Sequence, residues 1–213
     1  MKNEINYTLL TDGSSDRVLI KIINWLFNDL IPNIPIKGQF SDFSFLKKPP
    51  TISRLDLRIK AAIEYYPCDI LFVHRDSENE SREDRYEEII RFWNKASLSN
   101  QKMIPIIPVR MSEAWLLIDQ QAIKIAASNR YYKGNITLPN TQNLEREPDP
   151  KKLLFELIQQ VSELTGRRLK KLNVHTARHI VAENIDNYSV LRNLSSFILF
   201  EEDVKKVIAE ISL

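Results

Sequence analysis

Short apolar segments alternate with amphipathic ones along the first 127 residues of the chain. Strand-like apolar segments occur at residues 6–11, 34–40, 68–73 and 103–109. Between them apolar side chains recur at helical spacing, which predicts helices from Ser14 or Ser15, from Ser53, over residues 81–96 and from Ser112. The segment 68–73 is apolar almost throughout, as expected of a strand covered on both faces. This alternation predicts an α/β fold with a mostly parallel, Rossmann-like sheet flanked by helices.

The last third of the chain has a different pattern. Residues 128–150 are polar and contain proline and glycine, which indicates a long loop. Helices are predicted over residues 151–164, 176–185 and 201–211. We therefore expect an α/β domain over residues 1–127 and a loop with a C-terminal helical extension, residues 128–213, packed on it.

The composition excludes several classes of protein. Thirty Lys and Arg residues against 28 Asp and Glu residues give a net charge of +2, so the overall charge does not favour nucleic acid. The single cysteine, Cys68, excludes an intrachain disulfide and a zinc site built from several cysteines. The four glycines lie too far apart for a glycine-rich phosphate loop. No apolar run reaches about 18 residues and the N-terminus lacks signal-peptide features, so we expect a cytoplasmic protein with no membrane contact.

Acidic residues follow two of the predicted strands. Asp12 comes after the first strand, and Asp76 and Glu78 come after the central one. Ligands of open α/β sheets bind beyond the carboxyl ends of the strands, and converging carboxylates suit Mg²⁺ or Mn²⁺. Turns also favour Asp, so these residues are either metal ligands or ordinary turn and capping residues.

Three segments in this order resemble the motifs of Toprim domains, the metal-binding module of topoisomerases, primases and OLD-family nucleases. They are Thr-Asp-Gly-Ser-Ser-Asp at 11–16, Phe-Val-His-Arg-Asp-Ser-Glu at 72–78, and Pro-Val-Arg-Met-Ser-Glu-Ala-Trp-Leu-Leu-Ile-Asp at 108–119. The third is similar to a Glu-Ala-Trp-Leu-Leu-x-Asp segment of uncharacterised bacterial Toprim-like families. The resemblance covers about residues 6–127 and implies a Toprim-like fold.

The resemblance also implies a metal site. It would make Asp12, Asp76 and Glu78 the ligands of Mg²⁺ or Mn²⁺, with Glu113 assisting catalysis. Asp12 stands where the family usually has Glu, and His74 stands where the first Asp of Asp-x-Asp is expected. His74 would then be either a general base or an unusual ligand, since imidazole suits Mn²⁺ better than Mg²⁺.

Other residues near these motifs have structural explanations. Asp16 is predicted to be an acid of the first helical turn, and it could also support the metal ligands from behind. Trp115 is predicted in the core, and Asp119 is predicted to cap the next helix.

Cations occur beside the acidic motifs and in the extension. Arg75 and Arg110 would either hold a phosphate or neutralise the neighbouring acids. Arg167, Arg168, Lys170 and Lys171 would form a basic helix face that either binds a nucleic acid backbone or is simply solvated.

Two hypotheses for function follow, with a third behind them. The first is a Toprim-like, divalent-metal-dependent nuclease acting on DNA or RNA; the resemblance implies a link to anti-phage defence and a partner ATPase. The second is a non-catalytic subunit that binds a partner ATPase or a ligand, because Asp12 and His74 depart from the family pattern. The third is a metal-dependent phosphatase acting on a small substrate.

Overall fold

A computed structural model describes residues 3–78, 80–98 and 101–211, and these form an α/β structure around a parallel sheet. The strands are β1 (Ile5–Leu10), β2 (Ile36–Phe40), β3 (Ile70–His74) and β4 (Lys102–Ile106). Their order across the sheet is β2-β1-β3-β4, and every neighbouring pair is parallel. The predicted fold class is therefore confirmed.

Helices connect the strands and continue beyond them. They are α1 (Leu19–Leu30), α2 (Leu55–Tyr65), α3 (Arg82–Ala96), α4 (Gln120–Ala126), α5 (Pro150–Ser162), α6 (Gly166–Lys170), α7 (Val174–Asn184) and α8 (Ser195–Glu210). Tight 3-10 turns occupy Ser14–Val18, Ser112–Leu116, Thr141–Arg146 and Ser189–Asn193. The predicted helix starts at Ser14 and Ser112 are thus 3-10 turns, called here the first and second 3-10 turn. The last helix begins at Ser195 rather than at residue 201.

The sheet separates two apolar cores, because alternate strand residues face opposite sides. On β3, Ile70 and Phe72 belong to the larger core, which also contains apolar residues of α1, α4, α5, α7 and α8. Leu71 and Val73 belong to a smaller core with residues of α2 and α3. Covering on both faces explains why the sequence of β3 is apolar without a polar alternation.

The C-terminal helices share the larger core with the sheet. Phe200 of α8 lies against Phe72 of β3, with ring centroids 6.0 Å apart. Phe197 packs on Trp115 at 5.3 Å, and Trp115 is buried as predicted. The loop between α4 and α5 contains only the short 3-10 turn Thr141–Arg146, in keeping with its polar sequence. Within the described ranges, no helix is both long enough and apolar enough to cross a bilayer.

The topology places a crevice between β1 and β3. From β1 the chain crosses through α1 to β2 on one side, whereas β3 pairs with the other side of β1. In open α/β sheets, ligands bind outside the carboxyl ends of the strands at such a switch point. The first two of the three quoted motifs lie at the ends of β1 and β3.

Candidate metal centre

Asp16, His74 and Asp76 form a cluster at this crevice. Nε2 of His74 lies 3.4 Å from Oδ1 of Asp76 and 3.9 Å from Oδ2 of Asp16. One ligand atom from each residue lies within 4.8 Å of the other two. A single ion with bonds of about 2.0–2.6 Å can span that separation. These residues are therefore the candidate metal ligands.

The turn after β1 brings Asp16 over the end of the strand. The hydroxyl of Thr11 donates to the carbonyl oxygen of Gly13 at 2.5 Å, and the first 3-10 turn follows at once. The backbone N–H of Asp16 reaches back to the same carbonyl, at 3.4 Å. Within this tight turn the Asp16 side chain is buried.

The orientation of His74 is fixed from behind. Its Nδ1 lies 3.0 Å from the carbonyl oxygen of Ile106 on β4. A carbonyl oxygen only accepts hydrogen bonds, so Nδ1 carries the hydrogen and Nε2 faces the two carboxylates. In the neutral imidazole, Nε2 presents a lone pair to two negative charges, an arrangement that a cation or a proton between them stabilises. This carbonyl contact is the usual way in which a metal-binding histidine is oriented.

The same surroundings control the charge of His74. Burial by itself lowers the pKa of His74, but Asp76, Asp16 and the Ile106 carbonyl outweigh it and raise the pKa to about 9. The two carboxylates thus attract positive charge strongly to this point.

Ser112, on the second 3-10 turn, holds both carboxylates. Its backbone N–H donates to Oδ1 of Asp76 at 2.9 Å. Its hydroxyl donates to Oδ1 of Asp16 at 3.1 Å, and the residue is fully buried. A single residue therefore fixes the two acids that follow different strands.

Arg178 of α7 joins the helical extension to the same two turns. Its guanidinium donates to the carboxylate of Glu113, next to Ser112, and to the carbonyl oxygen of Ser15, next to Asp16. Arg178 and Glu113 are both almost completely buried. The extension therefore holds the backbone on either side of the candidate centre.

Asp12, a predicted metal ligand, is placed elsewhere. Its Oδ2 accepts a hydrogen bond from Arg75 at 2.8 Å, and Arg75 also pairs with Glu88 of α3 at 3.0 Å. The cause is the alternation of side chains along β3. His74 faces the side of the larger core, and Arg75 faces the side of α2 and α3. Asp12 lies on the side of Arg75 because the two residues form an ion pair. The structure therefore pairs Asp12 with Arg75 and brings Asp16, rather than Asp12, next to His74 and Asp76.

Glu78 and Glu113 also lie outside the cluster. Glu78 is exposed and has a left-handed backbone, with φ of 52°. Glu113 is buried against Arg178, so its carboxylate is engaged in an ion pair. Neither residue belongs to the cluster of Asp16, His74 and Asp76.

The predicted nucleic-acid contacts have different surroundings. Arg75 is mostly buried and neutralised by two acids, which corresponds to the structural alternative for this residue. Arg110 is half-buried, with its backbone N–H donating to Ser77 Oγ at 2.9 Å. The exposed cations Arg167, Arg168, Lys170 and Lys171 lie on or just after α6. Within the described part of the chain, no hydrogen bond or ion pair joins α6 to the cluster.

The sequence did not indicate that Asp16, Ser112 and Arg178 come together at the candidate centre. The sequence predicts Asp16 chiefly as a helix acid, and its position four residues after Asp12 in a Ser-rich turn is the signal that places it near the same strand end. Ser112 stands next to the quoted Glu-Ala-Trp segment. Arg178 lies in another part of the chain, and no local pattern connects it with Glu113.

Comparison of the chain with protein-family models, with curated proteins and with solved structures gave no match. The resemblance to Toprim domains therefore stays a prediction from the three quoted segments.

Proposed function

We propose that this protein is a divalent-metal-dependent nuclease that hydrolyses phosphodiester bonds, with Asp16, His74 and Asp76 as the metal ligands. The observation that carries the proposal is the direction of His74 Nε2 toward two carboxylates at a topological switch point. The order of the motifs and their resemblance to Toprim domains support nucleic acid as the substrate. The same resemblance supports a role in anti-phage defence beside a partner ATPase.

The donor set fits Mn²⁺ better than Mg²⁺. Two carboxylates suit either hard cation, whereas imidazole nitrogen is a poor ligand for Mg²⁺. When bound, a divalent ion would neutralise phosphate charge and lower the pKa of a coordinated water.

The side chains around the centre have separable tasks. Asp76 is the most exposed of the three, with 23% of its side chain accessible, so substrate approaches from its side. His74 is held by Ile106 as a ligand, which leaves neither ring nitrogen free to act as a general base. Ser112 keeps Asp16 and Asp76 apart and oriented, and Glu113 acts through Arg178 as a positioning residue.

Metal binding and cleavage test the proposal together. Calorimetric titration of the full chain with Mn²⁺ should show binding that Asp76→Asn weakens at least tenfold. The matched control is Asp186→Asn, which removes an exposed carboxylate from the loop after α7. Labelled single-stranded and double-stranded DNA and RNA should be cut in Mn²⁺ by the wild type and the control, and not by Asp76→Asn. Cleavage that survives Asp76→Asn would refute the proposal.

The second candidate is a non-catalytic subunit that binds a partner ATPase or a ligand. The specific observation in its favour is that Asp12 and Glu113, two acids predicted at the site, are each held by an arginine. This function predicts a folded protein that binds no Mn²⁺ and cuts no nucleic acid in the same titration and assays.

A further inference from the structure

A cleft of about 610 Å³ lies beside the candidate metal centre, between α1 and α7. Ser14, Arg17 and Lys21 line one side, Gly38 of β2 lies at its edge, and His179 and Glu183 line the side formed by α7. Its volume is within the range of small-molecule binding sites, roughly 300–1,000 Å³. The C-terminal extension therefore creates a cavity that the sheet and α1 alone would not enclose.

The first 3-10 turn links the cleft to the candidate ligand Asp16. Arg17 directly follows Asp16 in the first 3-10 turn. On the opposite wall, the charge of Arg17 lowers the pKa of His179 and the charge of Asp16 raises it. A group bound between Arg17 and His179 would thus be held by the residue that directly follows Asp16.

Two cations line this cleft. Arg17 and Lys21 are four residues apart, so they lie on one side of consecutive turns, and both are exposed. Among the described residues neither forms an ion pair, and Arg17 lies over the ring of Phe40 at 5.9 Å. Glu183 is the single carboxylate among the lining side chains, so the described lining carries a net positive charge when His179 is neutral.

We infer that this cleft binds a phosphate-bearing stretch of the substrate, with Arg17 and Lys21 contacting its phosphates and the scissile end directed toward Asp16. The inference rests on the proposed function and adds the substrate path to it. It assigns the binding surface to Arg17 and Lys21 rather than to the basic residues of α6. The shared ligand chemistry is the nucleotide phosphate, which either a single-stranded chain or a mononucleotide can supply.

The test measures binding without metal. Fluorescence anisotropy in EDTA follows a labelled oligothymidylate, and thymidine 3′,5′-bisphosphate is added as a competitor in a second arm. The variant is Arg17→Gln/Lys21→Gln, and the control is Arg167→Gln/Lys170→Gln, which removes the same charge from α6. Thermal unfolding checks that both variants fold. If the double variant does not fold, Lys21→Gln alone, an exposed change on α1, replaces it in the binding assay.

The cleft variant should bind at least tenfold more weakly, and the control within twofold of the wild type. The slope of log affinity against log salt should become shallower by about 1.4 in the cleft variant, roughly 0.7 for each lost contact to a single strand. Competition by the bisphosphate that depends on Arg17 and Lys21 would identify a mononucleotide unit as the bound group; binding of the oligonucleotide alone would identify the backbone.

An equal or larger loss in the α6 control, or no binding of either nucleic acid probe by the wild type, overturns the inference. The two proposals fail separately. Phosphate binding in EDTA without any Mn²⁺-dependent cleavage would support the cleft as a binding site and refute the nuclease proposal. Mn²⁺-dependent cleavage with a KM that is unchanged in the cleft variant would support the nuclease proposal and refute the cleft as the substrate-binding site.

Discussion

Arg178 and Glu113 form an ion pair in which the two side chains are only 2% and 3% exposed. The pair joins α7 to the second 3-10 turn, and Arg178 reaches the first 3-10 turn as well, through Ser15. Breaking a buried pair is costly because it leaves one charge without a partner or water. The candidate centre is thus held from a helix that contributes no ligand to it.

Replacing Arg178 alone should destabilise the fold more than replacing both partners. We expect Arg178→Met to lower the free energy of unfolding by about 3–5 kcal/mol, since Glu113 remains buried and charged. The double variant Arg178→Met/Glu113→Gln should recover a large part of that loss. Urea unfolding of the wild type, both single variants and the double variant gives the coupling energy; purely additive losses would contradict the assigned pair.

Ser112→Ala should weaken metal binding without unfolding the protein. It removes the hydroxyl that donates to Asp16 and keeps the backbone N–H that donates to Asp76. Loss of such a supporting contact typically costs about 10–100-fold in metal affinity. Mn²⁺ titration measures the effect.

Ser196→Ala is the matched control for that experiment. Ser196 is also buried, but its hydroxyl has no hydrogen-bond partner among the described residues. We expect this variant to bind Mn²⁺ like the wild type. Equal effects of the two substitutions would show that the Ser112 hydroxyl does not support the centre.

Gly38→Ala should destabilise the sheet because β2 passes very close to Tyr7. A Cβ at position 38 would lie 2.2 Å from atoms of the buried Tyr7 ring, whose hydroxyl donates to Asn24 at 2.7 Å. Overpacking of this kind costs about 1–3 kcal/mol. At Gly13 the nearest atom would be 3.7 Å away, so Gly13→Ala should be tolerated. Thermal unfolding of both variants provides the comparison, and similar melting temperatures would contradict it.

Strand and helix periodicity was enough to predict the sheet. Short apolar segments between stretches of helical spacing indicated every strand of the parallel sheet, and Asp119 caps α4 as expected, accepting from the backbone N–H groups of Gln121 and Ala122. The predicted segment boundaries differ from the observed ones by a few residues in most elements. These features depend on local spacing, which the sequence displays directly.

The candidate site was only partly predictable, because its details depend on the direction of side chains at the ends of strands. His74 ends β3 and Asp76 follows it, and both were predicted at the site from the sequence. The choice of Asp16 over Asp12 depends on a 3-10 turn and on the attraction of Asp12 to Arg75, neither of which has a periodic signal. Arg178 reaches Ser15 across 163 positions of the chain.

His179 should make stability decrease in mild acid. Burial, followed by the charge of Arg178, lowers the pKa of His179 below its ordinary value of 6.5. The charged groups around it lie on three elements: Arg178 and Glu183 on α7, Asp16 and Arg17 on the first 3-10 turn, and Lys21 on α1.

The sign of the effect follows from proton binding. Below pH 6.5 the unfolded chain protonates at this residue before the folded protein does, so the contribution of His179 to stability falls as the pH decreases through that value. His179→Gln should therefore lose less stability than the wild type between pH 7 and pH 5 in urea unfolding. The control is His175→Gln, which changes an exposed histidine of the same helix. If His175→Gln reduces the pH dependence of stability as much as His179→Gln does, the effect does not come from His179.

The contact between α7 and the first two 3-10 turns also bears on protein synthesis. A ribosome releases Asp16, His74 and Asp76 well before it translates Arg178, so a nascent chain has all three candidate ligands while Glu113 still lacks its cation. The contacts of Arg178 with both turns can form only once α7 has been translated. The complete set of contacts around the candidate centre is therefore expected only in chains whose synthesis has passed α7.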